Sequence, residues 1–292
     1  MRRFGFIHNL RAGHGRQADI IHLVAARMAA QGHTVREYAC PGDPARPVRQ
    51  ALDDGCDTVV ACGGDGTVSG VARALQKSPA VLAVFPLGTL NHFARDLGIH
   101  SVAEAERVLL EGKTREVDAG ALNGRLFINN SGIGIYPAIV LARDDARRSG
   151  IPKWPAFVIA CVKALAKLPF LRLRLEVDGR NLARITPFLF VGNNIYETEG
   201  RPIGTRKQLD SGVLGICTAR HHGVTGLIRI AFRALFGYLR EDRDFTLVTA
   251  KRLRVRTKHP KDLHVSLDGE VVRMRQPLNY SIVPRAVRVL AP

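Results

Sequence analysis

The sequence predicts an α/β domain followed by an all-β domain, and three observations carry the prediction. In the first third, apolar runs of strand length alternate with segments of helical period, as in a parallel, doubly wound sheet. Two of those runs stop on glycine-bearing turns, Gly63-Gly64-Asp65-Gly66-Thr67 and Pro86-Leu87-Gly88-Thr89. After about residue 115 the texture changes to short alternating segments with few helices, which points to an antiparallel sandwich.

The elements follow in order. Phe4-Gly5-Phe6-Ile7-His8-Asn9 reads as the first strand, and Arg11-Ala12-Gly13-His14-Gly15 as a basic, glycine-bearing loop. A helix follows, with Ile20, Ile21, Val24, Ala25 and Met28 on one face. Thr34–Ala39 is the second strand. Pro41–Pro44 turns into a helix through Val48 and Leu52. The third strand, from Thr58, runs into Gly63-Gly64, and a helix is expected from near Val68 through Val71, Ala74 and Leu75. Ala80–Phe85 is the fourth strand, after which Gly88-Thr89 is expected to open another helix. Ser101-Val102-Ala103-Glu104 has the form of a capping box. The domain boundary falls near residue 122, giving 1–122 and 123–283, with Ala286–Leu290 returning to the first domain. Strand-like segments of the second domain are Arg125–Asn130, Leu171–Asp178, Ile185–Asn193, Val213–Thr218, Phe245–Thr257, His264–Leu267 and Asn279–Val283. Two basic amphipathic helical patterns interrupt them, Trp154–Leu168 and Val224–Leu239. They suit either ordinary surface helices or lipid-headgroup docking.

At 46% apolar residues the chain can build a real core, which argues against disorder. Its five cysteines are scattered without a C-x-x-C pair, so neither a disulfide frame nor a zinc knuckle is expected. Met1-Arg2-Arg3-Phe4 runs straight into a strand pattern, so no signal peptide is expected there. No 18-residue apolar run suggests a bilayer span. The net charge of +17 favours an anionic partner: a polyanionic substrate, an anionic membrane surface or nucleic acid. No aromatic interleaving supports single-strand nucleic-acid binding, which is therefore not expected.

In doubly wound sheets ligands bind beyond the C-terminal strand ends, where Asn9, Gly64 and Leu87 fall. Three glycines in four positions let the backbone turn sharply and approach a ligand. The helix start beyond them offers free N–H groups and a positive dipole end suited to phosphate. Asp65 is either a metal-facing acid or a helix cap. Thr89 and Asn91 could bond phosphate or cap their own helix. His221-His222 reads as a surface turn, because neighbours on a strand point to opposite faces. Lys251–Arg256 reads as a strand with one solvated face that could extend a membrane-facing patch. A P-loop lysine motif and the H-R-D kinase signature are both missing, which excludes those mechanisms.

Taken together, Gly63-Gly64-Asp65-Gly66-Thr67 and Pro86-Leu87-Gly88-Thr89-Leu90-Asn91-His92-Phe93-Ala94-Arg95 resemble the diacylglycerol kinase catalytic-domain family, which includes bacterial lipid kinases and sphingosine kinases. Phe127-Ile128-Asn129-Asn130-Ser131-Gly132-Ile133-Gly134 and Leu267-Asp268-Gly269-Glu270 continue the resemblance in family order. It implies a phosphofructokinase/NAD-kinase-like α/β domain, a C-terminal antiparallel β-sandwich and an active site served by both. By the same resemblance Asn9, Gly63, Gly64, Asp65, Gly66, Thr67, Val68, Ser69, Thr89 and Asn91 would hold ATP, with Tyr38 near the nucleotide. Glu270 would accept the proton, helped by Asp268. Asp65 and Asp118 would serve the Mg²⁺ and its waters, and a secondary metal would sit on Gln208, Asp210, Ser211 and Val213. Two positions depart from the family pattern: Leu10 stands where proline is usual, and Ser211 where a second acid is usual.

The expected activity is transfer of the ATP γ-phosphate to a lipid hydroxyl, diacylglycerol-like by default. It would take place in the cytoplasm, peripherally at the inner face of the membrane, in a monomer or a homodimer. An NAD kinase-like enzyme and a lipid- or nucleotide-binding regulator without catalysis are the alternatives.

Overall fold

The computed structural model describes residues 1–8, 16–138, 140–141, 170–197, 204–219, 245–258 and 261–292. The Asn9–Gly15 loop, both amphipathic helical patterns and the His221-His222 pair lie outside the described residues. The chain forms two compact units, Met1–Ala119 with Val283–Pro292, and Gly120–Ile282.

In the first unit, β1 (Arg3–His8), β2 (Thr34–Ala39), β3 (Thr58–Gly63) and β4 (Val81–Pro86) are parallel, in the order β2-β1-β3-β4. The helices are α1 (Arg16–Ala30), α2 (Ala45–Asp53), α3 (Asp65–Ala74), α4 (His92–Asp96) and α5 (Val102–Glu111). Central strands covered on both faces read as continuous apolar runs rather than alternating ones. Phe4, Phe6 and Ile7 of β1, Val59 and Val60 of β3, and Leu82 and Phe85 of β4 are accordingly all buried. Ser101 caps α5 by accepting from Glu104 N at 3.2 Å, and the Glu104 carboxylate accepts from His100 N at 2.6 Å. The Ser101 half of the capping box therefore forms, while Glu104 reaches past the N-cap amide to that of the preceding residue.

The second unit is a sandwich. One sheet is antiparallel throughout, in the order β12-β11-β10-β7-β14-β15. Its strands are β7 (Asn130–Gly134), β10 (Phe188–Asn193), β11 (Leu214–Ala219), β12 (Phe245–Ala250), β14 (Asp262–Leu267) and β15 (Glu270–Arg275). The facing sheet pairs β9 (Arg180–Thr186), β8 (Leu171–Val177), β13 (Arg252–Thr257) and the first half of β16 (Leu278–Ala291). Leu173, Leu175, Leu253 and Val255 from this sheet bury against Val191, Ile216 and Val265 from the first. The strand β5 (Lys113–Leu122) starts in the first unit and turns back through β6 (Arg125–Phe127) in the second, while β16 starts in the second and ends beside β4, with Val289 opposite Leu82.

Four expectations needed correction. The helix after the first glycine turn starts at Asp65, three residues before Val68, because an uncapped Gly64 in extended backbone is enough to launch it. The second turn does not open a helix at Gly88-Thr89. Asn91 first adopts the left-handed conformation, φ 51°, and α4 begins at His92. Phe245–Thr257 is two strands in different sheets, split at Lys251, although its alternation runs through the break. Ile185–Asn193 is likewise split at Pro187, which cannot donate to a ladder.

The Phe127 side chain is fully buried. It fills the space left by Gly120, where a Cβ would collide with the ring, and meets Tyr280 edge-on at 6.4 Å between centroids. Phe127→Ala should lower the stability of the second unit by about 3–5 kcal/mol, measured by denaturant unfolding; a loss below about 1 kcal/mol would mean the pocket recloses.

Candidate active site

The ends of β3 and β4 bring the two glycine turns into contact. Leu87 N donates to Gly63 O at 3.1 Å, extending the ladder past the strands. Beyond it the backbones touch: a Cβ on Gly88 would collide with the Gly64 Cα and lie 2.7 Å from Asn91 Oδ1. Asn91 closes the second turn from both sides, its Oδ1 accepting from Gly88 N at 3.0 Å and its Nδ2 donating to Gly88 O at 2.9 Å. Gln17 of α1 adds a bond from Nε2 to Leu87 O at 3.0 Å. The Thr67 side chain packs on Gly63, where a Cβ would lie 2.5 Å from its Oγ1.

This contact leaves the start of α3 uncovered. The first intrahelical bond runs from Val68 N to Gly64 O at 3.1 Å, and no side chain caps the helix. The N–H groups of Asp65, Gly66 and Thr67 are thus the unsatisfied donors of a helix N-terminus. A Cβ on Gly66 would meet nothing within 4 Å, so that side of the first turn is open. Asp65 caps a helix, but not its own: Oδ1 accepts from Phe93 N, at the start of α4, at 3.2 Å. Thr89 is exposed beside the turn, whereas Val68 and Ser69 are buried in α3.

Tyr38 does not join this cluster. Its ring fills the space beside Gly5, and its hydroxyl donates to Asp54 Oδ2 at 2.7 Å, toward the segment that precedes β3. Burial, with that bond, raises the hydroxyl's pKa. Asp118 is buried on β5, and its Oδ1 accepts from Arg285 N at 3.0 Å. Cys62 precedes Gly63 and is fully buried, which pushes its thiol well up, away from thiolate chemistry.

In the second unit, Asp268 and Glu270 occupy the β14–β15 turn. Asp268, at φ 48°, is nearly buried, and its carboxylate accepts from three successive backbone N–H groups: Ile128 at 3.0 Å, Asn129 at 2.8 Å and Asn130 at 3.1 Å. It therefore fixes the Glu270 turn against the 128–130 segment. Glu270 is exposed, and its Oε2 pairs with Arg125 at 2.8 Å. Arg206 holds the other side of the segment. Buried, it donates to Ile128 O at 2.6 Å, Asn193 O at 3.1 Å and Asn129 Oδ1 at 2.8 Å, and lies 5.1 Å from the Tyr196 ring centre. In the 208–213 loop, Gln208 and Asp210 are exposed, while Asn194 donates to Ser211 Oγ at 2.9 Å and to Val213 O at 3.1 Å. Among the described residues no three His, Cys, Asp or Glu side chains are grouped to hold a metal.

Residues 3–122 match the family model for the diacylglycerol kinase catalytic domain, and residues 136–291 match that for the YegS C-terminal NAD kinase beta sandwich-like domain. The chain is 30% identical to the "Probable lipid kinase YegS-like" of Pseudomonas aeruginosa strain UCBPP-PA14, over 96% of this chain and 92% of that one. The chain belongs to the diacylglycerol kinase family. A second relative, the diacylglycerol kinase of Bacillus subtilis strain 168, is 26% identical over 92% of this chain and 90% of its own. A crystal structure of a diacylglycerol kinase from Bacillus anthracis strain Sterne shares the fold, with a TM-score of 0.71 at 20% identity, over 100% of this chain and 97% of that one. Gln17, Arg125, Arg206 and Asn194 support the turns yet went unnoticed in the sequence, since a lone polar residue carries no spacing signal.

His8 ends β1. It is buried, with Nε2 3.3 Å from Glu37 Oε2, and the same carboxylate takes His22 Nδ1 at 2.9 Å. Burial lowers the His8 pKa, against the opposing pull of Glu37. The unfolded chain therefore takes up the proton first, and stability is lost as pH falls below about 6.5. Melting temperature followed from pH 8 to pH 5 should drop for the native chain and drop less for His8→Gln. Parallel curves would remove His8 from this role.

Proposed function

We propose that this protein is an ATP- and Mg²⁺-dependent lipid kinase that phosphorylates a diacylglycerol-like hydroxyl, acting peripherally at the inner face of the cytoplasmic membrane. The observation that carries the reading is the pair of touching glycine turns before an uncapped α3. The N–H groups of Asp65, Gly66 and Thr67 would bind the terminal phosphates, with Thr89 beside them; Asn9, also expected to contribute, lies outside the described residues. Asn91 shapes the second turn through both its amide atoms, and its second Nδ2–H would remain to face phosphate.

The donors present suit Mg²⁺, which keeps several waters and needs one or two carboxylates. Asp65 has one oxygen committed to Phe93 N, which leaves Oδ2 to hold it, and Asp118 would orient a water. When bound, the ion supplies charge neutralisation at the transferring phosphoryl group. Glu270 would take the acceptor hydroxyl's proton as the hydroxyl oxygen bonds to the γ-phosphorus and the bond from that phosphorus to the β–γ bridging oxygen breaks, with ADP as the leaving group. Arg125 orients that carboxylate, and Asp268 holds the turn that bears it. The secondary metal on Gln208, Asp210, Ser211 and Val213 would need Asn194 to yield Ser211 Oγ.

The test offers labelled ATP with a mixed lipid extract in one tube and with NAD in another, and resolves the products by thin-layer chromatography. A labelled lipid is expected. Label on NAD would favour an NAD kinase-like activity, and vesicle and ATP binding without transfer would favour a regulator. Glu270→Gln should reduce turnover on the order of 10²–10⁴-fold with ATP affinity retained. Unchanged turnover would take Glu270 out of the role of base.

A further inference from the structure

The outer face of the β9-β8-β13 sheet is arginine-rich. These three strands carry seven arginines and one acid, Glu176. Five of them, Arg172, Arg174, Arg252, Arg254 and Arg256, are exposed and alternate along β8 and β13 with the buried Leu173, Leu175, Leu253 and Val255, whereas Arg180 and Arg184 of β9 pair with Val177 and Leu173 on the opposite face. The register puts Arg254 opposite Glu176, an opposite-charge pair, but puts Arg256 directly opposite Arg174. Residues so paired stand about 4.5–5.5 Å apart at Cβ, and like charges there destabilise a sheet. Next to them Arg172 pairs across the strand with Ile185, which is 46% exposed. The face is therefore cationic along β8 and β13, bordered by Asn181, Ala183 and Ile185 of β9, with the apolar Ile185 at the Arg172 end.

At that end lies a cavity of about 450 Å³, lined by Pro137, Ala138, Leu141, Phe170 and Leu263, with Arg172 and Lys258 among its polar residues. The volume falls in the range of small-ligand sites, roughly 300–1,000 Å³. Asp262, also in the lining, has its charge answered by Arg273 at 2.9 Å. An apolar cavity edged by two cations and continued by a row of arginines matches an anionic amphiphile: a tail for the cavity, a headgroup for the edge, and neighbouring headgroups for the row.

We propose that the outer face of β9-β8-β13 is the surface on which this protein lies against an anionic bilayer, with the cavity beside Arg172 and Lys258 taking one acyl chain. Tight pairing of Arg256 with Arg174 is relieved when phosphates interpose between the guanidinium groups, which favour planar, bidentate contact with phosphate. The proposal rests on the membrane part of the reading above and not on phosphoryl transfer.

The test sediments the full chain with vesicles of phosphatidylglycerol and phosphatidylcholine, or of phosphatidylcholine alone. Each basic residue near an anionic surface contributes about fivefold to binding. Arg174→Ser combined with Arg256→Ser should therefore weaken binding to the anionic vesicles on the order of 20-fold, with phosphatidylcholine vesicles bound by neither protein. Ala138→Trp, which fills the cavity without changing charge, should weaken it severalfold. Turnover of short-chain diacylglycerol in detergent micelles should stay at the native level in the double variant. If that variant fails to fold, Arg172→Ser and Lys258→Ser read the same surface singly. Unchanged vesicle binding would overturn the proposal, as would a double variant that loses duplex DNA binding while keeping vesicle binding. A protein inactive on every acceptor, yet bound to anionic vesicles through these arginines, would overturn the kinase reading alone.

Discussion

The first unit depends on a close approach of backbone to backbone. Gly64 and Gly88 lie just past the ends of adjacent parallel strands, β3 and β4, which run roughly 4.8 Å apart. Any side chain at Gly88 would have to occupy the position of the Gly64 Cα or of the Asn91 amide. With the glycines the turns close on one another, and α3 starts at the sheet edge with its N–H groups facing outward. The rest of the local structure follows from keeping that contact. Asn91 accepts a left-handed backbone to bond both polar groups of Gly88, Gln17 takes the Leu87 carbonyl, and Asp65 takes the Phe93 amide. Each of these polar groups satisfies a backbone neighbour that the sheet ladder no longer reaches.

The second unit solves a related problem with charge. The Ile128–Asn130 segment turns between β6 and β7, and ladder pairing alone does not satisfy its backbone groups. Asp268 meets three of its N–H groups with an anion, and Arg206 meets a carbonyl and a side-chain oxygen with a cation. Both ions are nearly or fully buried, a placement that costs several kcal/mol unless hydrogen bonds compensate it. Here most of the compensating groups are backbone dipoles, joined at Arg206 by the Asn129 amide oxygen. The outcome is a rigid seat for the turn that carries Glu270.

How much was legible follows from these two solutions. Both fold classes could be read: the parallel sheet from apolar runs ending on glycine, the sandwich from alternation. The position of α3's start could not, because Asp65-Gly66-Thr67 carry no apolar period although they are already helical. Between β12 and β13 the alternation passes through Lys251 without a break, and only the pairing partners reveal the change of sheet. β15 (Glu-Val-Val-Arg-Met-Arg) went unassigned because its inner residues are half-buried and weakly patterned. Arg206 was invisible for a different reason. A solitary arginine reads as solvent-exposed, and only tertiary structure gathers carbonyls from Ile128 and Asn193, distant in sequence, around it.

On the proposed reading the protein would meet negative charge in two ways, and physics separates them. A compact polyanion such as a triphosphate is well met by neutral N–H groups of fixed direction at a helix N-terminus, whose donors and dipole favour an anion. At α3 they come from backbone held in place by glycine contact, so the geometry does not rest on side-chain rotamers. A broad anionic surface has no single geometry to match. Long, mobile arginines spread over a sheet face suit it better, but their interactions are screened beyond a Debye length of about 8 Å at physiological ionic strength. The pairing of Arg256 with Arg174 costs the sheet stability when no anion is near, whereas the inward Leu173, Leu175, Leu253 and Val255 of the same strands supply apolar burial to offset it. The alternation of β8 and β13 thus serves two ends at once: one face closes the sandwich core, and that closure lets the other face tolerate a charge pattern that folding by itself would not favour.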